Sequence, residues 1–203
     1  MFFSFDGIDG VGKSTQVRLF VDALRERGFD VVVCRDPGST ALGERVRELL
    51  LTCDAGTIIG RRSEMFLYMA ARAQLVDEVI RPALAAGKVI VSDRYLLANV
   101  VYQGHAGGLD PQVIGQVGRV ATDGAEPDCV FVLDMPPQDA DRRLNRLLDR
   151  MEQQGDEYRS RLRDGFLKEA KADGRIHVVD AGRGIDEVQA EIWSIAARLM
   201  GIR

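Results

Sequence analysis

The chain contains little cysteine and lysine and no long apolar run. Its three cysteines, Cys34, Cys53 and Cys129, are widely spaced in or near apolar segments. This favours small core side chains in a reducing compartment over disulfides or a zinc site. No run approaches the roughly 18 apolar residues that span a bilayer, and the N-terminus lacks the basic start and apolar stretch of a signal peptide. We therefore expect a cytoplasmic protein with no membrane partner.

The charge balance gives no sign of a broad basic surface. Arginine and lysine together number 27 against 31 acidic residues, and the formal net charge is −4. This argues against bulk electrostatic binding to nucleic acid, so we expect no nucleic-acid partner. The chain has 203 residues, 46% of them hydrophobic, and no internal repeat or linker divides it. We expect one domain over residues 1–203.

What the chain does have is a glycine-rich turn after an apolar run. Residues 7–14 have the G-x-x-x-x-G-K-[ST] spacing of a P-loop. The glycines let backbone N–H groups point at phosphate oxygens, and the following helix presents its positive end to the same group. Lys13 supplies charge for the β- and γ-phosphates, and the Ser14 hydroxyl suits Mg²⁺. The predicted ATP-binding residues are Gly7, Ile8, Asp9, Gly10, Val11, Gly12, Lys13, Ser14 and Thr15.

Short apolar runs alternate with amphipathic segments along the whole chain. This pattern predicts an α/β fold of the P-loop NTPase type, with a five-stranded parallel sheet and helices on both faces. A long helix is predicted over about 63–86, a glycine-rich loop over 104–108, and a last helix from Asp186 with Gln189 completing a capping box. The predicted strands lie at 2–6, 31–34, 89–91, 129–133 and 176–179.

Charged side chains follow two of these strands at the edge where parallel sheets bind ligands. Asp93 follows the third strand as a Walker B carboxylate does, near the expected Mg²⁺. Its neighbour Arg94, and Arg35 after the second strand, are suited to bidentate phosphate capture. Each arginine alone is equally compatible with an exposed charge at a strand end. Together they favour an acceptor phosphate distinct from those of ATP.

An arginine row follows the fourth strand. Arg142, Arg146 and Arg150 are four residues apart, so they share one helix face, and Arg143 borders it. Nearby acidic side chains could neutralise this row as an ordinary solvated face. The other interpretation is a lid over about 142–157, which closes on ATP and brings arginine to the transferred phosphoryl group.

Two side chains in the long helix have a second possible role. Tyr68 and Arg72 are four residues apart and share a face, where a ring and a donor fork could hold a nucleobase. Periodicity alone favours a core position for Tyr68, as it does for Met65, Phe66 and Met69.

These stretches, in this order, resemble the thymidylate kinase family of nucleoside monophosphate kinases over essentially the full chain. The matching segments are 5–15, 35–38, 68–72, 93–95 and 102–104. The resemblance implies phosphorylation of dTMP to dTDP with MgATP, in dTTP synthesis, by a homodimer packed through helices. Asp6 and Asp36 stand where the family more often has glutamate. Gly10 occupies a position where some members carry an arginine that contacts the transferred phosphate. The resemblance therefore assigns this contact to the lid arginines.

The resemblance also implies roles for individual residues. Arg35 and Arg94 would hold the dTMP phosphate, Tyr68 would stack on thymine, and Arg72 and Asn99 would read the base edge. Tyr102 and Gln103 would pack beside the sugar, and Asp9 would approach the 3′-hydroxyl or Mg²⁺. The implied metal-binding residues are Ser14, Asp9 and Asp93, and the implied catalytic residues are Lys13, Arg94, Arg150, Arg146 and Asp9.

Other functions remain open at the level of the residues. A kinase for dUMP, dCMP or a deoxynucleoside would carry the same P-loop, and so would an ATP-binding protein without turnover. A GTPase switch is disfavoured because no lysine follows an asparagine, so the guanine-reading Asn-Lys-x-Asp is absent.

Overall fold

A parallel five-stranded sheet forms the centre of the protein. The computed structural model of the chain describes residues 1–52, 58–143 and 155–202. Within these, the strand order is β2-β3-β1-β4-β5, and every neighbouring pair is parallel. The predicted fold class is confirmed, and β2 to β5 each continue one or two residues beyond the predicted apolar runs. The strands are β1 (Phe2–Asp6), β2 (Val31–Arg35), β3 (Val89–Asp93), β4 (Cys129–Asp134) and β5 (Ile176–Asp180).

Helices connect the strands and cover both faces of the sheet. Two π-helical turns, Val76–Ile80 and Val100–Ala106, continue α3 and α5 without a break. The α-helices are α1 (Lys13–Glu26), α2 (Ala41–Thr52), α3 (Arg61–Leu75), α4 (Arg81–Ala85), α5 (Leu96–Asn99), α6 (Pro111–Thr122), α7 (Pro137–Asp141), α8 (Asp156–Ala172) and α9 (Ile185–Met200).

The central strand β1 is anchored by aromatic side chains on both faces. Successive residues of a strand point to opposite faces. On one face the Phe20 ring centroid of α1 lies 5.1 Å from Phe3 and 5.5 Å from Phe5. On the other, Phe2 meets Tyr95 edge to face at 5.0 Å. Each such fully buried ring stabilises the fold by roughly 1.5–3 kcal/mol, so the end of β1, where the P-loop begins, is held firmly.

Two local predictions were wrong. The predicted loop at 104–108 begins inside a helical turn that runs to Ala106. Position 104 packs closely against α6, because a Cβ on Gly104 would lie 3.2 Å from side-chain atoms of Ile114 and Pro111. The last helix starts at Ile185, and its cap is made by Glu187, whose carboxylate accepts from the Gly184 N–H at 2.9 Å. The Asp186 and Gln189 capping box is therefore not formed.

The long helix lies where it was predicted, but one of its predicted core side chains is exposed. It runs as α3, the π-helical turn and α4 over 61–85. Met65 and Met69 are buried as expected, whereas Phe66 is 56% exposed, so its predicted core position was wrong.

The expectations for the cysteines and for membrane-spanning segments can be compared with the structure only for the described residues. Cys34 and Cys129 are buried free thiols, and burial raises the pKa of each to about 12. Cys53 lies outside the described residues. Among the described helices, none combines the length and apolar character needed to cross a membrane.

Candidate active site

The P-loop follows β1 and is shaped by glycines that its geometry requires. Gly7, Gly10 and Gly12 have φ angles of 131°, 89° and 94°, in the region that disfavours side chains. A Cβ on Gly7 would come within 2.5 Å of the Leu133 carbonyl oxygen, and one on Gly10 within 2.3 Å of the Ala140 carbonyl oxygen. The loop is therefore pressed against the ends of β4 and α7.

Lys13 begins α1 and is directed back over this loop. Its Nζ donates to the carbonyl oxygens of Gly7 at 3.1 Å and Ile8 at 2.8 Å, and lies 3.5 Å from the Asp9 carboxylate. Burial lowers the pKa of Lys13, and the nearby Arg94 charge lowers it further. An anion that displaces the two carbonyl contacts would remove much of this penalty.

A cavity of about 610 Å³ opens beside the P-loop, and we call it the P-loop cavity. Its size suits a nucleoside triphosphate, since ligand cavities commonly measure a few hundred to a thousand Å³. It is lined by Asp9, Gly10, Val11, Gly12, Lys13, Ser14, Thr15, Gln16, Asp93, Arg143, Ala181, Arg183, Gly184, Ile185 and Val188. The predicted ATP-binding residues from Asp9 to Thr15 thus line one space.

Oxygen ligands for a divalent cation lie at the wall of this cavity. Ser14 is exposed there, and one carboxylate oxygen of Asp93, Oδ1, is buried with no hydrogen-bond partner among the described residues. Mg²⁺ bound with a nucleotide takes few protein ligands, typically hydroxyl and carboxylate oxygens, so this pair fits it. Asp9, the third predicted ligand, has Oδ1 within 2.7 Å of Arg94.

Asp9 is the point at which the P-loop meets the rest of the site. Its carboxylate accepts from Arg94 Nη2 at 2.7 Å and from the Tyr102 hydroxyl at 3.3 Å. Although burial opposes it, the Asp9 charge raises the pKa of Arg94 well above its ordinary value. The guanidinium also stacks 4.9 Å over the Tyr102 ring. Arg94 is therefore a fixed cation between the P-loop and the next cavity.

The backbone at Arg94 is strained. Its φ is 67°, which a residue with a side chain adopts at a cost of roughly 1–3 kcal/mol. The Arg94 N–H donates to the Phe5 carbonyl at 2.9 Å, which holds the end of β3 to β1 in this conformation. Such strain at a strand end directs the side chain across the sheet edge, toward Asp9.

A second, smaller cavity of about 120 Å³ adjoins the first, and we call it the acceptor cavity. Asp9 lines both cavities, so the two spaces meet at this residue. The acceptor cavity is lined by Asp9, Asp36, Pro37, Arg47, Leu51, Tyr68, Arg72, Arg94, Ala98, Asn99, Tyr102 and Gln103. All but one of the predicted dTMP-binding residues are brought together here.

A buried polar network forms the inner wall of the acceptor cavity. Arg72 Nε donates to Asp36 at 2.5 Å, and its Nη2 donates to the Asn99 side-chain oxygen. Asn99 donates to Gln103 at 2.7 Å, and Gln103 donates to Glu64 at 2.8 Å. Burial raises the pKa of Asp36, and the Arg72 charge opposes this. The network orients the donor groups of Arg72 and Asn99 before any ligand is present.

Arg35 is the predicted residue that the structure does not bring to this cavity. It is exposed and makes a bidentate pair with Glu44, with Nη2 to Oε2 at 2.7 Å. Arg47 lines the cavity in its place and donates to the Pro37 carbonyl at 3.1 Å. In the sequence, Arg47 is one of many helix arginines, and nothing in its spacing distinguishes it. The role of Arg35 in phosphate binding stays a prediction.

Sequence reasoning also missed Glu64, which supports the network, and the partnership of Asp36 with Arg72. One sign of the Asp36–Arg72 pair is present in the sequence, because a carboxylate that becomes buried after a strand needs a cation as its partner.

The predicted lid is described only at its two ends. Arg142 pairs with Asp139 at 3.1 Å and Arg143 donates to the Ala181 carbonyl at 3.2 Å. Arg146 and Arg150, like most of segment 142–157, lie outside the described residues.

The fold and the paired cavities define a P-loop kinase whose acceptor pocket carries arginine, as in nucleoside monophosphate kinases. The family model for thymidylate kinase matches residues 5–192. The chain is 44% identical to thymidylate kinase from Rhodopirellula baltica over 95% of the chain and 78% of that protein. It is also 44% identical to thymidylate kinase from Fervidobacterium nodosum, over 96% and 98%.

A solved structure gives the same result. The crystal structure of thymidylate kinase from Ehrlichia chaffeensis aligns with a TM-score of 0.79 and 31% identity, covering 97% of each chain. The chain belongs to the thymidylate kinase family.

Proposed function

We propose that phosphoryl transfer takes place where the two cavities meet, between ATP in the P-loop cavity and dTMP in the acceptor cavity. The protein is an ATP-dependent nucleoside monophosphate kinase that converts dTMP to dTDP. The observation that carries the proposed geometry is Asp9, which lines both cavities and fixes Arg94 between them.

The acceptor needs no general base. A phosphate monoester has a second pKa of about 6, so it is largely dianionic at neutral pH and is itself the nucleophile. The remaining problem is to bring two anions together in line, which requires positioning and charge neutralisation. Lys13 on the donor side and Arg94 on the acceptor side both contact Oδ1 of Asp9, at 3.5 and 2.7 Å, and supply positive charge where the two cavities meet.

Ser14 and Asp93 would hold the magnesium ion that accompanies ATP, and the assignment of Asp9 to its coordination shell stays a prediction. When bound, Mg²⁺ neutralises phosphate charge and orients the β- and γ-phosphates. The assignment of Arg150 and Arg146 to the transferred phosphoryl group also stays a prediction, since both lie outside the described residues.

Selection of thymine is assigned to the inner wall of the acceptor cavity. The guanidinium of Arg72 and the amide of Asn99 are locked by Asp36 and Gln103, so a base edge would meet donors with fixed directions. Tyr68 lines the cavity from the same helix as Arg72 and supplies a ring for stacking. Buried, oriented polar groups discriminate strongly, because a base that leaves them unpaired is penalised.

The acceptor can be tested by coupled ADP release with dTMP, dUMP, dCMP, UMP and thymidine. We expect dTMP to give the highest kcat/KM. Tyr68→Ala and Asn99→Ala should raise KM for dTMP more than KM for ATP, because ATP occupies the other cavity. Turnover confined to another acceptor would overturn the assignment of dTMP.

A homodimer in the cytoplasm is the proposed state of the protein. Helices α2, α3 and α6 pack side by side, and together they expose several large apolar side chains. These are Leu42, Leu49, Phe66, Val113 and Val120, of which Val120 is 81% exposed. Exposed apolar side chains on neighbouring helices support a surface that packs against another protein. The buried free thiols support a reducing compartment.

Light scattering of the double variant Phe66→Asp, Val120→Asp tests this interface. We expect the mass of a monomer, whereas wild type and the control Leu199→Asp, an exposed apolar position on α9, should have the mass of a dimer. A monomeric wild type at micromolar concentration would overturn the proposed homodimer.

A further inference from the structure

Arg159 of α8 is a buried arginine that none of the roles described so far uses. Its side chain is only 5% exposed, and its Nη2 lies 2.8 Å from the Asp141 carboxylate. The same nitrogen donates to the backbone carbonyl of Asp9 at 3.2 Å. Its Nε is buried with no hydrogen-bond partner among the described residues. A cation removed from water and bonded to the P-loop main chain calls for a functional explanation.

Three separate parts of the chain meet at Arg159. They are the P-loop at Asp9 and Gly10, the end of α7 at Ala140 and Asp141, and the first turn of α8. The contact between the first two is tight, since a Cβ added to Gly10 would lie 2.3 Å from the Ala140 carbonyl oxygen. The guanidinium therefore fastens two helices to the P-loop at the residue that joins the two cavities.

Asp9 is held from both of its ends. Arg159 binds its main-chain oxygen, while Arg94 and Tyr102 bind its carboxylate at 2.7 Å and 3.3 Å. A displacement of the main chain at Asp9 would move the carboxylate and, with it, the Arg94 guanidinium. A misplacement of about 1 Å at a reacting centre can cost roughly 100-fold in rate.

Fold stability alone explains Arg159 poorly. The Asp141 side chain is 41% exposed, and an ion pair with one solvated partner contributes little to stability. Arg161, two residues further along the same helix, shows the contrast: it pairs with Glu157 at the surface, and the structure gives it no polar partner in another element among the described residues. We propose that Arg159 is a positioning residue for phosphoryl transfer, which sets the orientation of Asp9 and, through it, of Arg94.

The first experiment compares Arg159→Met with Arg161→Met in the coupled assay, and it depends on the kinase activity proposed above. We expect Arg159→Met to lower kcat roughly 10- to 100-fold, with KM for ATP within about threefold of wild type. Arg161→Met should match wild type. An active wild type with unchanged kcat in Arg159→Met would overturn the role of Arg159 alone, whereas an inactive wild type would overturn the proposed function as well.

A double-mutant cycle with Asp9→Asn separates positioning from a general structural effect. Asp9→Asn keeps the main-chain oxygen that Arg159 binds but removes the carboxylate charge that Arg94 needs. If Arg159 acts through that carboxylate, Arg159→Met should lower kcat less than about twofold further in the Asp9→Asn background. Losses that multiply in the double variant would show an effect independent of Asp9 and would overturn the proposal.

Arg159→Lys provides a conservative variant and a safeguard. Lysine keeps the charge, but its side chain is shorter and ends in a compact ammonium group, so it should hold Asp141 and the Asp9 carbonyl less well than Nη2 of Arg159 does. We expect kcat between those of wild type and Arg159→Met. If Arg159→Met does not fold, the same cycle is measured with Arg159→Lys, and either full activity of Arg159→Lys or losses that multiply with Asp9→Asn would overturn the positioning role.

Discussion

The P-loop cavity and the acceptor cavity are built in different ways. The phosphate-binding loop of the first is one uninterrupted segment, 7–15, with Lys13 bonded to carbonyl oxygens of the loop itself. The second is made of side chains from several elements, whose key pairs join residues 36 and 85 positions apart, Arg72 with Asp36 and Arg94 with Asp9. The P-loop depends on the local conformation of one segment, and the acceptor cavity depends on ion pairs between distant residues.

This difference predicts different consequences of losing a cation. Lys13 is buried, so its removal should relieve the burial penalty on its charge while strongly slowing catalysis. Arg72 already neutralises a buried carboxylate, so its removal should damage the fold itself. Four variants test this contrast, in order of decreasing effect.

The largest effect is expected for Arg72→Met, which leaves Asp36 buried without its cation. We expect a loss of about 3–5 kcal/mol in the free energy of unfolding, measured by urea denaturation. Burial already raises the pKa of Asp36, and loss of Arg72 raises it further. A raised carboxyl pKa favours the folded state at low pH, so the deficit should be larger at pH 8 than at pH 5.

Two controls accompany Arg72→Met. Arg62→Met changes an exposed arginine on the same helix and should cost little. Adding Asp36→Asn to Arg72→Met should recover much of the lost stability without restoring the affinity for dTMP. A stable Arg72→Met protein would show that the acceptor cavity does not depend on this ion pair.

Lys13→Met should follow, with its effect on activity alone. We expect kcat to fall roughly 10²- to 10³-fold, the range seen when one donor to a developing anion is removed. The free energy of unfolding should be unchanged or higher, because a charge disfavoured by burial is gone. Lys88→Met, at a surface lysine paired with Asp30, is the matched control and should keep full activity. A large loss of stability in Lys13→Met would remove the contrast between the two cavities.

Asp6→Asn tests a buried carboxyl immediately before the P-loop. Ser4 donates to one oxygen of Asp6 at 2.8 Å, the other has no partner among the described residues, and burial raises the pKa of Asp6 to about 6. Because the folded-state pKa exceeds the unfolded one, Asp6 favours folding at low pH, and that contribution is lost as pH rises through about 6.

The neutral amide should therefore stabilise the protein at high pH. We expect the free energy of unfolding of Asp6→Asn to exceed that of wild type by up to ~3 kcal/mol at pH 8, with a smaller gain at pH 4. Asp22→Asn, which removes an exposed carboxyl on α1, is the control for loss of an acidic side chain at the surface. An equal gain at both pH values would mean that ionisation of Asp6 is not its cause.

The smallest effect compares two glycines within the P-loop. Both have φ near 90°, but a Cβ would collide with the Ala140 carbonyl at Gly10 and meet nothing within 4 Å at Gly12. Backbone strain should therefore cost both alanine variants a similar amount. We expect Gly10→Ala to lose an additional ~1–2 kcal/mol in urea denaturation, because overpacking adds to strain only there. Equal losses of unfolding free energy in the two variants would show that α7 can shift away from the added Cβ at little cost.

The contrast between local and long-range structure also explains which features could be predicted from the sequence. The P-loop could be read directly, because its glycines, Lys13 and Ser14 stand at fixed spacing and act through local geometry. The five strands were predicted because each is a short, mainly apolar run, although β2 and β5 are only partly buried. Cap positions such as Glu187 were missed because near-equivalent acidic and amide side chains compete for the same N–H.

The sequence by itself determined the sheet, the phosphate-binding loop and the residue types that surround the site. Only the tertiary structure decided which charges meet: Arg94 faces Asp9 while Arg35 pairs with Glu44, although both arginines follow parallel strands. The physical reason is that ion pairs depend on the three-dimensional distance between groups. That distance is set by how the helices pack around the sheet, and no local pattern encodes it.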